Sequence, residues 1–140
     1  MTIWSNRIIF ILAIAGLAVS GYLLYTYVTD APIVCANSGC ETVRESAYSY
    51  FLGIPLPAFG GVMYATIILL SFGRTIFEGE ARNISRSITL FSFVGVLISA
   101  YLTYLEIFVI KAICVWCVAS AVVITAIFLV SLYELKVTKK

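Results

Sequence analysis

Four apolar runs dominate this sequence, from about Ile8 to Val28, Ile54 to Phe72, Ile88 to Ile110 and Ile113 to Leu132. Crossing the hydrocarbon core of a bilayer takes about 20 such residues in a helix. Only the third run carries a charge, Glu106, near its end. None of the runs alternates polar with apolar residues as a lipid-facing strand must. A helix satisfies its own backbone groups in lipid. The expected fold is an all-α membrane protein, a four-transmembrane-helix bundle occupying residues 1–140 as a single domain embedded in the lipid bilayer.

Composition closes the other routes. Hydrophobic residues make up 62% of the 140 and charged residues 11%, and the mean hydropathy is +1.07. A soluble domain of this size leaves too much surface wet to hide that apolar content. A net charge of +2 is too small for electrostatic capture of a nucleic acid. Histidine is absent, which removes imidazole bases and His-containing metal sites. The first run is too long for the core of a cleaved signal peptide, and no A-x-A site follows it.

Orientation follows from the Lys/Arg bias of short loops. Arg7, Arg74, Arg82, Arg86, Lys136, Lys139 and Lys140 fall on one side, and only Arg44 and Lys111 on the other. Both termini are therefore expected in the cytoplasm. The loop of about residues 29–53 and the turn near Lys111 face outward, to the periplasm or exterior in a prokaryote and to the ER lumen in a eukaryote. Within the outer loop, Thr42 to Leu52 lacks Gly and Pro and gathers Val43, Ala47, Tyr50 and Phe51 on one face. It is expected to form a short amphipathic helix. Gly73 to Ser87, on the inner side, reads as a plain polar connector.

All four cysteines fall on the outer side, where disulfides form and persist. Cys114 and Cys117 make a C-x-x-C at the mouth of the fourth helix. Residues i and i+3 share a helical face, and a helix N-terminus stabilises a thiolate in its first turn. Nearby Lys111 adds to that field. Cys35 and Cys40 enclose the turn formers Ala36, Asn37, Ser38 and Gly39. A disulfide closing so short a loop stabilises little but suits thiol exchange. Two dithiols on one side of a membrane suggest a relay from the loop pair to the helix pair, each step a thiolate attack through a mixed disulfide. Two structural disulfides, or a four-cysteine zinc or iron–sulfur site, are the competing uses of the same residues.

These features, in order, resemble the vitamin K epoxide reductase family and especially its disulfide-forming prokaryotic members. The matching residues are Cys35 and Cys40, Ser46, Leu52-Gly53-Ile54-Pro55, Phe59-Gly60, Tyr64, Tyr101 to Glu106, and Cys114-Val115-Trp116-Cys117. They span about residues 5–135. The bacterial quinone-linked oxidase of thioredoxin-like proteins places its C-x-x-C in the first outer loop, the reverse of the order here.

The resemblance implies a quinone-dependent thiol–disulfide oxidoreductase that generates disulfides for secreted proteins. A separate thioredoxin-like redox protein would reduce Cys35–Cys40. Cys40 would then attack Cys114, and Cys117 would face a quinone drawn from the membrane pool. Ser46 would position the outer helix or hydrogen-bond near the shuttle cysteines, with an ordinary helix-surface serine as the alternative. Many bacterial members carry a fused thioredoxin-like domain; the 140 residues here are accounted for by the membrane domain, so the redox partner is expected to be a separate protein. Where the vertebrate enzymes carry a vitamin K-binding asparagine and tyrosine, this sequence has Leu56 and Ala121. That favours ubiquinone or menaquinone over vitamin K.

A quinone pocket should lie between helices, lined by apolar and small residues. The outer ends of the last three helices offer Phe59, Gly60, Met63, Tyr101, Tyr104, Leu105, Cys117 and Ala121. The pairs Gly16/Ser20 and Gly95/Ser99 read as helix contacts. Ser99, Thr103 and Glu106 share a face, and an intramembrane carboxylate is costly enough to suggest a role. Glu106 is a candidate proton relay, with interfacial anchoring or a bond to Lys111 as the alternatives. A reductase of vitamin K epoxide or quinone, and a non-enzymatic bundle with structural disulfides, remain the competing functional classes.

Overall fold

The computed structural model describes residues 2–29, 42, 45, 50, 51, 53–111 and 115–138. Four long helices carry the architecture: α1 (Thr2–Thr29), α2 (Leu56–Ile76), α3 (Ala81–Tyr104) and α4 (Val115–Thr138). All four expected spans are present as helices long and apolar enough to cross a membrane. Each helix packs on two neighbours in the cyclic order α1, α2, α3, α4.

The exterior is apolar and much of the buried interior is polar, the inverse of a soluble domain. Leu69 is 71% exposed and Trp4 69%, while Ser20, Thr26, Ser71, Arg74, Ser85, Ser92, Glu106, Ser131 and Glu134 are buried. Lipid has no use for the reverse arrangement, because every backbone and side-chain polar group must find its partner inside. Hydroxyls nearer the outside bond within their own helix. Thr29 donates to the Tyr25 carbonyl at 2.7 Å, Thr66 to Val62 at 2.8 Å and Thr125 to Ala121 at 2.7 Å.

Near the centre, Ile9, Ala13, Tyr64, Ile67, Ile88, Ile124 and Ile127 form the main apolar cluster. Two glycines set its spacing. A Cβ on Gly16 would run into the Tyr64 ring, and one on Gly95 would lie 2.7 Å from Ile124 Cγ1 and 2.8 Å from Met63 Sδ. Small residues allow this close approach of helices.

The end opposite Cys117 differs from the sequence expectation. The connector expected over Gly73 to Ser87 shrinks to Phe77 and a short 3₁₀ turn, Glu78–Glu80, between α2 and α3. Phe77 N–H donates to the Gly73 carbonyl at 2.8 Å, and Glu80 N–H to the Phe77 carbonyl at 3.1 Å. Arg74 is thus not a loop cation. It lies in the last turn of α2, buried, and pairs with Glu134 of α4. Glu106 is consequently not the only charge within the spans. The pair neutralises itself, which is why two helices can extend through it. Beside it, Ser71 Oγ donates to Asn6 Oδ1 at 2.8 Å, and Asn6 Nδ2 donates to the Ser71 carbonyl at 3.2 Å.

At the other end, Thr42 and Glu45 are helical, within the expected amphipathic helix. Tyr50–Phe51 is extended instead, pairing antiparallel with Ile54–Pro55. Helix therefore stops short of Leu52. Gly53, with φ +80°, supplies the left-handed backbone between the paired strands. Pro57 sits in the first turn of α2, where its missing N–H costs nothing.

Candidate functional site

The third span ends in a change of helical pitch. After Tyr104 the chain runs as a π-helical turn, Leu105–Ile110. It closes on Lys111, whose φ of 58° and ψ of 34° are left-handed and whose N–H donates to the Glu106 carbonyl. Such turns are rare and recur at functional sites. A left-handed residue thus stands where the turn was expected, and Leu105 and Glu106 are buried in the π-helical segment before it.

These residues border a cavity of about 150 Å³ enclosed by all four helices. Leu23, Leu56, Phe59, Met63, Leu102 and Ile124 give it apolar walls, and Cys117 lies in the wall contributed by α4. Ser99, Thr103 and Glu106 come together on the α3 side. The Thr103 hydroxyl donates to the Ser99 carbonyl at 2.8 Å. Glu106 is only 4% exposed, whereas Lys111 is exposed. Phe59 of α2 and Ile98 of α3 line the cavity and are also exposed on the apolar surface, so these two side chains stand between the cavity and lipid.

Cys117 is half-buried. It packs with Trp116 and Ile110 against the buried Leu23 and Tyr27 of α1. Trp116 stacks on Tyr22 with ring centroids 4.9 Å apart. The Tyr27 ring lies 5.9 Å from that of Tyr50, which ties the cavity wall to the extended pair. Deeper in, the Tyr64 hydroxyl donates to the Ser120 carbonyl at 2.9 Å and lies 3.0 Å from Ser120 Oγ. Aromatic packing and these bonds hold α1, α2 and α4 at fixed spacing around the cavity.

Among the sequence candidates, the structure brings Phe59, Gly60, Met63, Leu105, Glu106 and Cys117 to the cavity. It does not bring Tyr101 or Ala121 there. Tyr101 is 60% exposed, because the cavity-facing stripe of α3 runs through Gly95, Leu102 and Glu106, at spacings of seven and four. Tyr104 is also on the outer face, 4.9 Å from the Phe108 ring. Ala121 is half-buried outside the lining. Cys35, Cys40, Ser46 and Cys114 lie outside the described residues.

Sequence reasoning assigned the pocket to the last three helices and missed α1. Ser20, Leu23 and Tyr27 all line the cavity. The Gly16/Ser20 and Gly95/Ser99 pairs were the available signal. Read as contacts only, they are more than that: Gly16 and Gly95 set close packing, while Ser20, Gly95 and Ser99 also face the cavity.

Comparison with known proteins identifies a family and a relative. The family model described as "Vitamin K epoxide reductase family" matches residues 7–132. Thiol-disulfide oxidoreductase LTO1 of Arabidopsis thaliana is 32% identical over 126 residues, covering 84% of this chain and 33% of that protein. The chain thus spans about a third of the length of that relative.

Proposed function

Because the chain belongs to the vitamin K epoxide reductase family, we propose that it is a membrane thiol–disulfide oxidoreductase that hands electrons from protein thiols to a quinone. The observation that carries this reading is the position of Cys117 in the wall of an apolar cavity between the helices that is also lined by the buried Glu106. The similarity to a protein named as a thiol-disulfide oxidoreductase supports it.

In this reading, Cys35–Cys40 accepts electrons by thiol exchange with a thioredoxin-like protein or domain, whose own dithiol becomes a disulfide. The Cys40 thiolate then attacks Cys114 in the Cys114–Cys117 disulfide and releases Cys117 as thiolate. Cys35 resolves the mixed disulfide, leaving Cys114 and Cys117 reduced. Ser46 positions the segment that carries the shuttle pair.

The cavity fits a quinone ring. Its walls are apolar, its few polar groups include Ser99, Thr103 and Glu106 on one side, and Phe59 and Ile98, which face both cavity and lipid, would part for an isoprenoid tail. A quinone held there supplies a two-electron, two-proton acceptor. Phe59, Met63, Leu102 and Leu105 would hold the ring, and Glu106 would deliver protons. Leu56 puts an aliphatic side chain in the wall, and ubiquinone or menaquinone is the acceptor proposed, ahead of vitamin K epoxide.

The topology proposed for residues 1–140 is one domain in the cytoplasmic membrane of a prokaryote, or the ER membrane of a eukaryote. Both termini are cytoplasmic and the cysteines face outward. Pairing of Arg74 with Glu134 removes one cation from the loop bias, but Arg7, Arg82, Arg86, Lys136, Lys139 and Lys140 still outnumber Arg44 and Lys111.

The test is turnover in lipid nanodiscs with a reduced thioredoxin-like protein and a water-soluble ubiquinone analogue. Quinone loss at its ultraviolet band should depend on Cys117 and vanish in Cys117→Ala. Equal rates for the two proteins would overturn the proposal. Replacing the quinone with vitamin K epoxide as acceptor is expected to give little turnover.

A further inference from the structure

Far from the cysteines, an open groove of about 440 Å³ is lined by Arg82 and Arg86 of α3 and by Leu132, Leu135 and Lys136 of α4. All three cations are exposed. Among the described residues none of them is paired with a carboxylate. Two acids described nearby are engaged elsewhere. Glu134 is paired with Arg74, and Glu80 Oε2 accepts a hydrogen bond from Asn83 Nδ2 at 2.8 Å.

The charge is also placed against local helix energetics. Arg82 and Arg86 are four residues apart, where like charges repel. They occupy the opening turns of α3, whose first turn has no acidic residue and whose dipole presents positive potential there. An anion seated between them offsets both costs. Depth selects which anion. The apolar spans begin at Arg82 and end at Lys136, so the cations ring the groove at the level where hydrocarbon gives way to headgroups. Leu132 and Leu135 continue its floor toward the hydrocarbon.

We propose that this groove between α3 and α4 is a binding site for an anionic phospholipid. Its phosphate lies among Arg82, Arg86 and Lys136, and its acyl chains lie along Leu132 and Leu135. Basic pockets between spanning helices bind acidic headgroups in this way. The site is independent of the redox reading.

Native mass spectrometry of the full chain in neutral detergent tests it. The protein is equilibrated with phosphatidylglycerol, with phosphatidylcholine of the same acyl chains, or with inorganic phosphate. Phosphatidylglycerol should be retained about tenfold more tightly than phosphatidylcholine. Arg82→Gln/Arg86→Gln/Lys136→Gln should erase that preference, and Arg7→Gln, a cation at the same end outside the groove, should keep it. Single Arg86→Gln and Lys136→Gln variants, each expected to bind roughly fivefold more weakly, guard against misfolding of the triple variant, and helical circular dichroism checks it directly. Three results would overturn the proposal: a preference surviving in the triple variant, equal retention of both lipids, or displacement of the lipid by millimolar inorganic phosphate.

Discussion

Arg74 Nη1 donates to Glu134 Oε2 at 2.6 Å, joining the last turn of α2 to the far end of α4 in a position sealed from solvent. The two residues are 60 positions apart in the chain, so the link exists only once the bundle has assembled.

Removing either partner alone strands the other charge. Arg74→Leu and Glu134→Leu should each cost about 3–5 kcal/mol, whereas the double replacement should recover most of that loss. Thermal unfolding in detergent, followed by circular dichroism, reads all three. A double variant no better than the singles would show that the charges are not coupled.

The crossing of α1 and α2 at Gly16 and Tyr64 sets a second expectation. Alanine at Gly16 improves helix propensity by about 0.5–1 kcal/mol, but its methyl meets the Tyr64 ring, and overpacking costs about 1–3 kcal/mol. The net outcome should be destabilisation, relieved when Gly16→Ala is combined with Tyr64→Leu. Comparing the unfolding midpoints of these two variants checks the claim.

Lys111 holds a left-handed conformation, which disfavours side chains branched at Cβ. Lys111→Val should lose about 1–2 kcal/mol, while Lys111→Gly and Lys111→Asn should be neutral or slightly stabilising. The order of their melting temperatures is the readout. It would be reversed if the charge at this position mattered more than the backbone.

Under the proposed function, Glu106→Gln keeps the size of the side chain and removes its titratable carboxyl group. Single-turnover quinone reduction should slow by about a hundredfold, with labelling of Cys117 by a thiol reagent unchanged. Glu106→Asp should restore part of the rate. Loss of thiol reactivity together with turnover would instead point to a packing role for Glu106.

The bundle itself was legible because lipid imposes one crude requirement, about 20 apolar residues per span, and the four runs meet it without ambiguity. Their ends were less legible. Arg74 and Glu134 look like loop residues in sequence, and only their pairing allows helix to continue past them. Phe59, Met63 and Glu106 could be placed near a cavity because proline, glycine and charge mark their helices. Ser20, Leu23 and Tyr27 were harder to place, because α1 is apolar on nearly every face and the Gly16/Ser20 pair is its one mark of the side that turns inward. Tyr101 misled for the opposite reason. An aromatic ring near a span end suits both a ligand and the membrane interface, and its position on the helical wheel assigns it to the interface.

The tight link at Phe77, with the buried salt bridge beside it, makes one end of the molecule its stiff end. Flexing that spreads α2 from α3 must then grow with distance from that anchor, as it does for the blades of a pair of tweezers. Phe59 and Ile98, the side chains that face both cavity and lipid, stand toward the far tips, where the least energy is needed to part the helices around a flat ring.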